Sequence, residues 1–173
     1  MVNESDPART GEALRKANAA LREALGRMDT AWAGSDRDHF FASSLEAAMW
    51  IAALNDFLRH GDDTTYEQRR DADPGGRIVR GLVWVRNNGV HGLIDVHEVK
   101  GGMTLPLRFP MRFEHASWKH RCDVDGAKDQ GNNEGPYDTY VAGNVVQNTL
   151  REAQDFLWMR AVEVSPEGTD LRF

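Results

Sequence analysis

The stretch Gly81-Leu82-Val83-Trp84-Val85-Arg86-Asn87-Asn88-Gly89-Val90-His91 decides how this chain of 173 residues is read. The run from Pro74 to about His91 predicts one helix. Asp73 offers an N-cap oxygen, and Pro74 suits the first helical position because its missing N–H is not needed there. At about 100° per residue, Ile78, Leu82 and Val85 form an apolar arc that Val79, Val83 and Val90 continue. Arg77, Arg80, Trp84, Asn87 and His91 fall together on the other side. Asn87 and His91 are four apart, so their side chains can meet. Arg86 points into the middle of the apolar arc, where an unpaired charge is too costly, so it requires a partner. On a straight helix Arg86 and His91 diverge by about 140°. Either the helix deforms at Gly89 or a second chain completes the site.

Three chemistries meet in this stretch. A guanidinium holds a phosphate through two parallel hydrogen bonds. An imidazole takes or gives a proton near neutral pH. A neighbouring amide can orient either partner. Arg86, Asn87 and His91 together suit phosphodiester cleavage without a metal. The competing reading is structural: Arg86 and Asn87 build a hydrogen-bond network and His91 ends a helix, since ion-pair networks also place Arg beside His.

Composition bounds the options. The length fits one domain, 1–173, with a sizeable core. Charged residues make up 28% and hydrophobic ones 40%, the balance of a globular chain. The net charge of −6 excludes a broad non-specific grip on nucleic acid, so any RNA contact is local. One cysteine, Cys122, excludes an internal disulfide and suits a reducing cytoplasm. Met1-Val2-Asn3-Glu4-Ser5-Asp6 lacks the basic and apolar regions of a signal peptide, and no apolar run reaches membrane-spanning length.

Residues 1–8 read as a flexible leader. From Arg9 to Ala33, Leu14, Ala17, Leu21, Ala24, Leu25, Met28 and Trp32 recur at amphipathic-helix spacing. Gly34-Ser35-Asp36 predicts a turn with a cap. A second helix from Asp38 to Arg59 is apolar over much of its surface, so it is central or touches both a core and a partner. Tyr66-Glu67-Gln68-Arg69-Arg70 is a short charged piece. After the motif helix, Ile94, Val96, Val99, Leu105, Leu107, Phe109, Met111 and Phe113 suggest a β-hairpin or two extended arms around Gly101-Gly102. Pro106 and Pro110 restrict it to edge pairing. Residues 94–136 thus form an extended insert and loop, polar from Asp123 to Pro136. A final helix runs from Asn144 to about Val162, and the tail from Ser165 is irregular.

The Arg86-Asn87-x-x-x-His91 motif on its apolar helix resembles the R-x(4-6)-H motif of the HEPN superfamily. The likeness extends to uncharacterised bacterial and phage proteins through Gly81-Leu82, Trp118 and the helix from Asn144 onward. It implies a mainly α HEPN-like bundle, here with an extended insertion between the motif helix and the last helix. It further implies a homodimer whose facing motifs cleave RNA to 2′,3′-cyclic phosphate and 5′-hydroxyl ends. Arg86, Asn87 and His91 would then be catalytic, and Arg77, Arg80, Trp84 and Asn88 would contact the substrate. The family setting is toxin–antitoxin systems or phage defence, with a cognate antitoxin or inhibitor protein as a partner. Leu93 stands where some HEPN toxins carry a modifiable tyrosine, and the insert departs from a minimal bundle.

Other motifs are weaker. Asp123-Val124-Asp125-Gly126 hints at a calcium loop, but Ala127 and Lys128 occupy positions needing a ligand and a glycine. His115, His120 and Cys122 lack the paired spacing of structural zinc sites, so neither a metal nor a cofactor is expected. Trp118 among Lys119, His120 and Arg121 suits either base stacking or an anchored strand end, and packing is the commoner use. Gly75-Gly76 lacks the lysine and hydroxyl of a phosphate-binding loop. The alternative function is a non-catalytic helical dimer that binds a protein or nucleotide through the same cleft.

Overall fold

The computed structural model describes residues 7–61, 63–88, 92–99, 113–127 and 131–164. Six helices and one antiparallel pair of strands follow in the order α1 (Pro7–Ala33), α2 (Arg37–Gly61), α3 (Asp63–Ala72), α4 (Pro74–Asn88), β1 (Ile94–Val99), β2 (Phe113–Trp118), α5 (Glu134–Tyr140) and α6 (Val146–Val164). The fold is mainly α, with the strand pair inserted between the motif helix and the last helix. Residues 1–6 of the expected leader, the Gly101-Gly102 turn with Pro106 and Pro110, and the tail from Ser165 lie outside the described residues, while residues 7 and 8, expected in that leader, begin α1.

The long helices follow from their apolar stripes. On α1, Leu14, Ala17, Leu21, Ala24, Leu25 and Met28 are buried, as the three-and-four spacing requires. Phe40, Ala48, Ile51, Leu54 and Leu58 of α2 join them in one core. Asp36 starts α2 as an N-cap: its Oδ1 accepts from the His39 amide at 3.1 Å. Asp73 does the same for α4, its Oδ1 accepting from the Gly75 amide at 2.8 Å and the Gly76 amide at 3.3 Å.

Two helices depart from the expected outline. The charged piece around Tyr66–Arg70 is helical, as α3. Its stability is tertiary: Tyr66 is buried 6.3 Å from the Phe156 ring, and Arg70 is buried beside it. Residues 134–136, expected as the end of a polar loop, instead begin α5, which runs on to Tyr140. Pro136 and Gly135 hide it from propensity, yet Tyr137 is fully buried and its hydroxyl donates to the Lys119 carbonyl at 2.5 Å.

The glycines of α4 explain how tightly the bundle closes. A Cβ at Gly76 would sit 2.1 Å from the Arg70 carbonyl oxygen of α3, and one at Gly75 would sit 2.9 Å from the Glu152 carbonyl oxygen of α6. At Gly81 it would meet Val141 at 2.6 Å. Gly75-Gly76 therefore serves close helix packing.

The strand pair docks by one face. Ile94 pairs with Trp118, and Val96 with Ala116; Ile94, Ala116 and Trp118 are buried. The Trp118 indole N–H donates to Thr149 Oγ1 of α6 at 2.6 Å, so this tryptophan anchors a strand end and offers no stacking face. The opposite strand face carries His97 and His115, whose rings lie 5.2 Å apart. His97 Nε2 lies 2.8 Å from Ser117 Oγ.

Candidate active site at the end of the motif helix

From Gly81 to Val85 the motif helix is buried all round. Leu82 and Val85 belong to the core, and Gly81 abuts Val141 at the end of α5. Arg86 is where the helix emerges. Its side chain is 30% exposed, and its Nη1 donates to Asp56 Oδ2 of α2 at 2.5 Å. The Nε donates to Asn87 Oδ1 at 3.0 Å. The expectation that Arg86 points into the middle of an apolar arc is corrected: α2 presents a carboxylate at that point, so the guanidinium sits on a rim. The requirement for a partner holds. Nη2 has no hydrogen-bond partner among the described residues.

Asp56 belongs to a polar relay. The Asn55 amide donates to Asp56 Oδ1 at 3.3 Å. Asn55 Oδ1 accepts from the Tyr66 hydroxyl and from Arg70 Nη1, both at 3.1 Å. Arg70 Nε donates to Asp71 Oδ1 at 3.0 Å, and Asp71 Oδ2 accepts from Arg80 Nη1 at 2.9 Å. Burial pushes the Tyr66 phenol well above its ordinary range, so it stays neutral and donates. The relay ties α4 to α2 and α3 at both of its ends. Asn55-Asp56 was missed from sequence. The available signal was a polar pair interrupting an apolar helix, set against an arginine that needed a carboxylate.

The expected substrate face is not a surface. Trp84 is fully buried, its ring 4.1 Å from that of Tyr137. Arg77 Nε donates to the Asp71 carbonyl at 2.8 Å and its Nη1 to the Tyr140 hydroxyl at 3.1 Å. Arg80 is held by Asp71, as above. Helix α5 covers the side of α4 that the sequence left open, so Trp84 is a core residue, and Arg77 and Arg80 brace the helices. Asn88 is half-buried, and its amide donates back to the Trp84 carbonyl at 3.1 Å. Asn87 is exposed beside Arg86. His91 and the hinge position Gly89 lie outside the described residues.

Among the described residues, no group of three or more His, Cys, Asp or Glu side chains could hold a metal ion. No described helix is long and apolar enough to cross a membrane. Asp123 ends a short 3-10 turn, Arg121–Asp123, and Cys122 is exposed. No known protein family, curated protein or solved structure matches the chain.

Proposed function

We propose that the chain is a HEPN-like, metal-independent endoribonuclease that acts in the cytoplasm as a homodimer. The observation that carries this reading is Arg86. It is held at a rim by Asp56, next to the exposed Asn87, with one guanidinium nitrogen uncommitted among the described residues. A guanidinium fixed by a carboxylate on one edge is pre-organised to meet a phosphate on the other. In the proposed reaction the ribose 2′-oxygen attacks phosphorus and gives its proton to one His91. The bond from phosphorus to the 5′-oxygen breaks, and that oxygen takes a proton from a second His91. Arg86 balances charge on the five-coordinate phosphorus, and Asn87 orients the phosphate. The products are a 2′,3′-cyclic phosphate and a 5′-hydroxyl. A toxin or phage-defence role, with an antitoxin or inhibitor protein as counterpart, is part of the same proposal.

A mixed RNA pool incubated with the protein tests this reading. Cleavage in the presence of EDTA, with cyclic-phosphate ends on the products, is the expected result. Loss of cleavage on chelation and its return with zinc or manganese would refute it. One observation favours the second reading, a dimeric binding module. Two of the three Arg86 nitrogens are already bonded, and Arg77 and Arg80 are held within the bundle, so few cations remain here to follow an RNA backbone.

A further inference from the structure

His97 and His115 stand directly opposite one another in the antiparallel register of β1 and β2. Their sequence spacing suggests no pair; the register makes one. They lie on the strand face turned away from Ile94, Ala116 and Trp118, where His97 is exposed and His115 half-buried. Their ring centres are 5.2 Å apart. Two imidazoles on one tetrahedral ion, each with a metal–nitrogen bond of about 2.0–2.1 Å, also have ring centres about 5 Å apart. The two rings can therefore meet one ion by turning about their side-chain bonds, with the strands left in place.

Ser117 is a second, independent sign. It is only 6% exposed, and its Oγ lies 2.8 Å from His97 Nε2. A ligating histidine commits its other ring nitrogen to a hydrogen bond, which fixes both the ring and the tautomer. With Nε2–H donating to the Ser117 hydroxyl, Nδ1 of His97 keeps the lone pair that a metal needs. The serine is itself held: its backbone bridges to Val145 just before α6, and the next residue, Trp118, is bonded to Thr149.

The place of the pair in the sheet gives the ion something to do. The sheet has two strands only, and such a pair is marginal where nothing packs on it. Its inner end is tied to the bundle: the Lys119 amide donates to the Leu93 carbonyl at 2.8 Å, and the Trp118 amide to the Asn144 carbonyl at 3.1 Å. The histidines lie three rungs beyond the Ile94–Trp118 rung. An ion that binds the paired strands and not the separated ones stabilises the pairing there.

We propose that His97 and His115 chelate one divalent transition-metal ion of the zinc class, and that the ion staples the outer part of the strand pair. Ser117 is a positioning residue for His97. Two protein ligands leave the other positions to water, so the ion is exchangeable rather than permanently held. The proposal is independent of the reading of Arg86, and no step there uses the ion. Zinc chloride alone is the probe, titrated calorimetrically into the full chain, with backbone amide exchange as a second readout. One saturable ion per chain is expected, together with slower exchange of the β1 and β2 amides when zinc is present. His97→Ala and His115→Ala should each remove saturable binding. His97→Phe and His115→Phe keep a ring on the strand and should do the same, with circular dichroism unchanged. Ser117→Ala should weaken binding about 10–100-fold, and His120→Ala should leave it unaltered. No saturable binding of zinc would overturn the proposal. Unaltered affinity in a folded His97 or His115 variant would do the same, because the ion would then sit elsewhere. Binding that leaves exchange in both strands unchanged would overturn the staple.

Discussion

Arg86 and Trp84 are two residues apart and have opposite fates. Trp84 fills the core against Tyr137, so Trp84→Ala should cost about 3–5 kcal/mol and lower the unfolding midpoint sharply. Arg86 is half-buried on a rim, and its partner Asp56 is 42% exposed. A pair that open contributes little, so Arg86→Ala should cost no more than about 1 kcal/mol and remain folded in denaturant titration. That outcome makes Arg86 usable in activity tests and Trp84 unusable. Gly26→Ala belongs to the same scale. With open space around the new methyl, it should stabilise by about 0.4–1 kcal/mol, read from the same titration. Asp36 adds a pH signature. Its folded pKa is depressed below the ordinary aspartate value. The stability it lends is full above that ordinary value and is lost as pH falls through the folded one. Asp36→Asn keeps a cap and should flatten this acid-side decline in melting temperature.

Legibility differed by element. Helices α1, α2, α4 and α6 carry apolar stripes at regular spacing, and their outlines were readable. Helices α3 and α5 do not: Tyr66-Glu67-Gln68-Arg69-Arg70 is nearly all polar, and Glu134-Gly135-Pro136 carries two helix-disfavouring residues. Both are helical because of what they pack on. Missing α5 had the larger consequence, since α5 turns the supposed substrate side of α4 into an interior. Strand β1 was legible in the alternation of Ile94 and Val96, while the rest of that alternation, from Leu105 to Met111, lies outside the described residues; the capped starts of α2 and α4 were legible in Asp36 and Asp73. The ion pair of Arg86 with Asp56 joins residues 30 apart, and helical periodicity says nothing about such a pair. The contact of α4 with α5 can be tested at Gly81. The nearest atom to an added Cβ is a Val141 methyl at 2.6 Å, with the Pro136 carbonyl oxygen and Tyr137 Cα at 3.1 Å. The valine can turn, but the backbone of α5 cannot. Gly81→Ala should therefore destabilise by about 1–3 kcal/mol, measured by thermal or denaturant unfolding.

At the scale of the whole molecule, the apolar surplus read from sequence resolves into two parts. Helix α4 uses its share internally. Helix α2 does not: Met49 is 53% exposed and Phe57 40%, and Trp50 and Ala53 on the same side are half-buried. This stripe ends beside Asp56, the residue that holds Arg86. A second copy seated on it would cover apolar surface next to the pair of Asp56 and Arg86. Met49→Glu with Phe57→Glu should convert a dimer to a monomer in light scattering while circular dichroism keeps its helical signature, since both side chains are exposed on the single chain.

The central claim is that Arg86 and His91 act on one phosphate. The most direct measurement is RNA cleavage by wild type, Arg86→Lys and His91→Ala, each verified as folded by circular dichroism and sized in solution. Arg86→Lys keeps the charge and loses the paired donors, so the rate should fall about 10²–10³-fold. His91→Ala removes the proton-transfer group and should lower it about 10²–10⁴-fold. Wild-type cleavage matched by folded His91→Ala would contradict the account, and a folded wild-type dimer that cuts no RNA would leave the binding-module reading in its place.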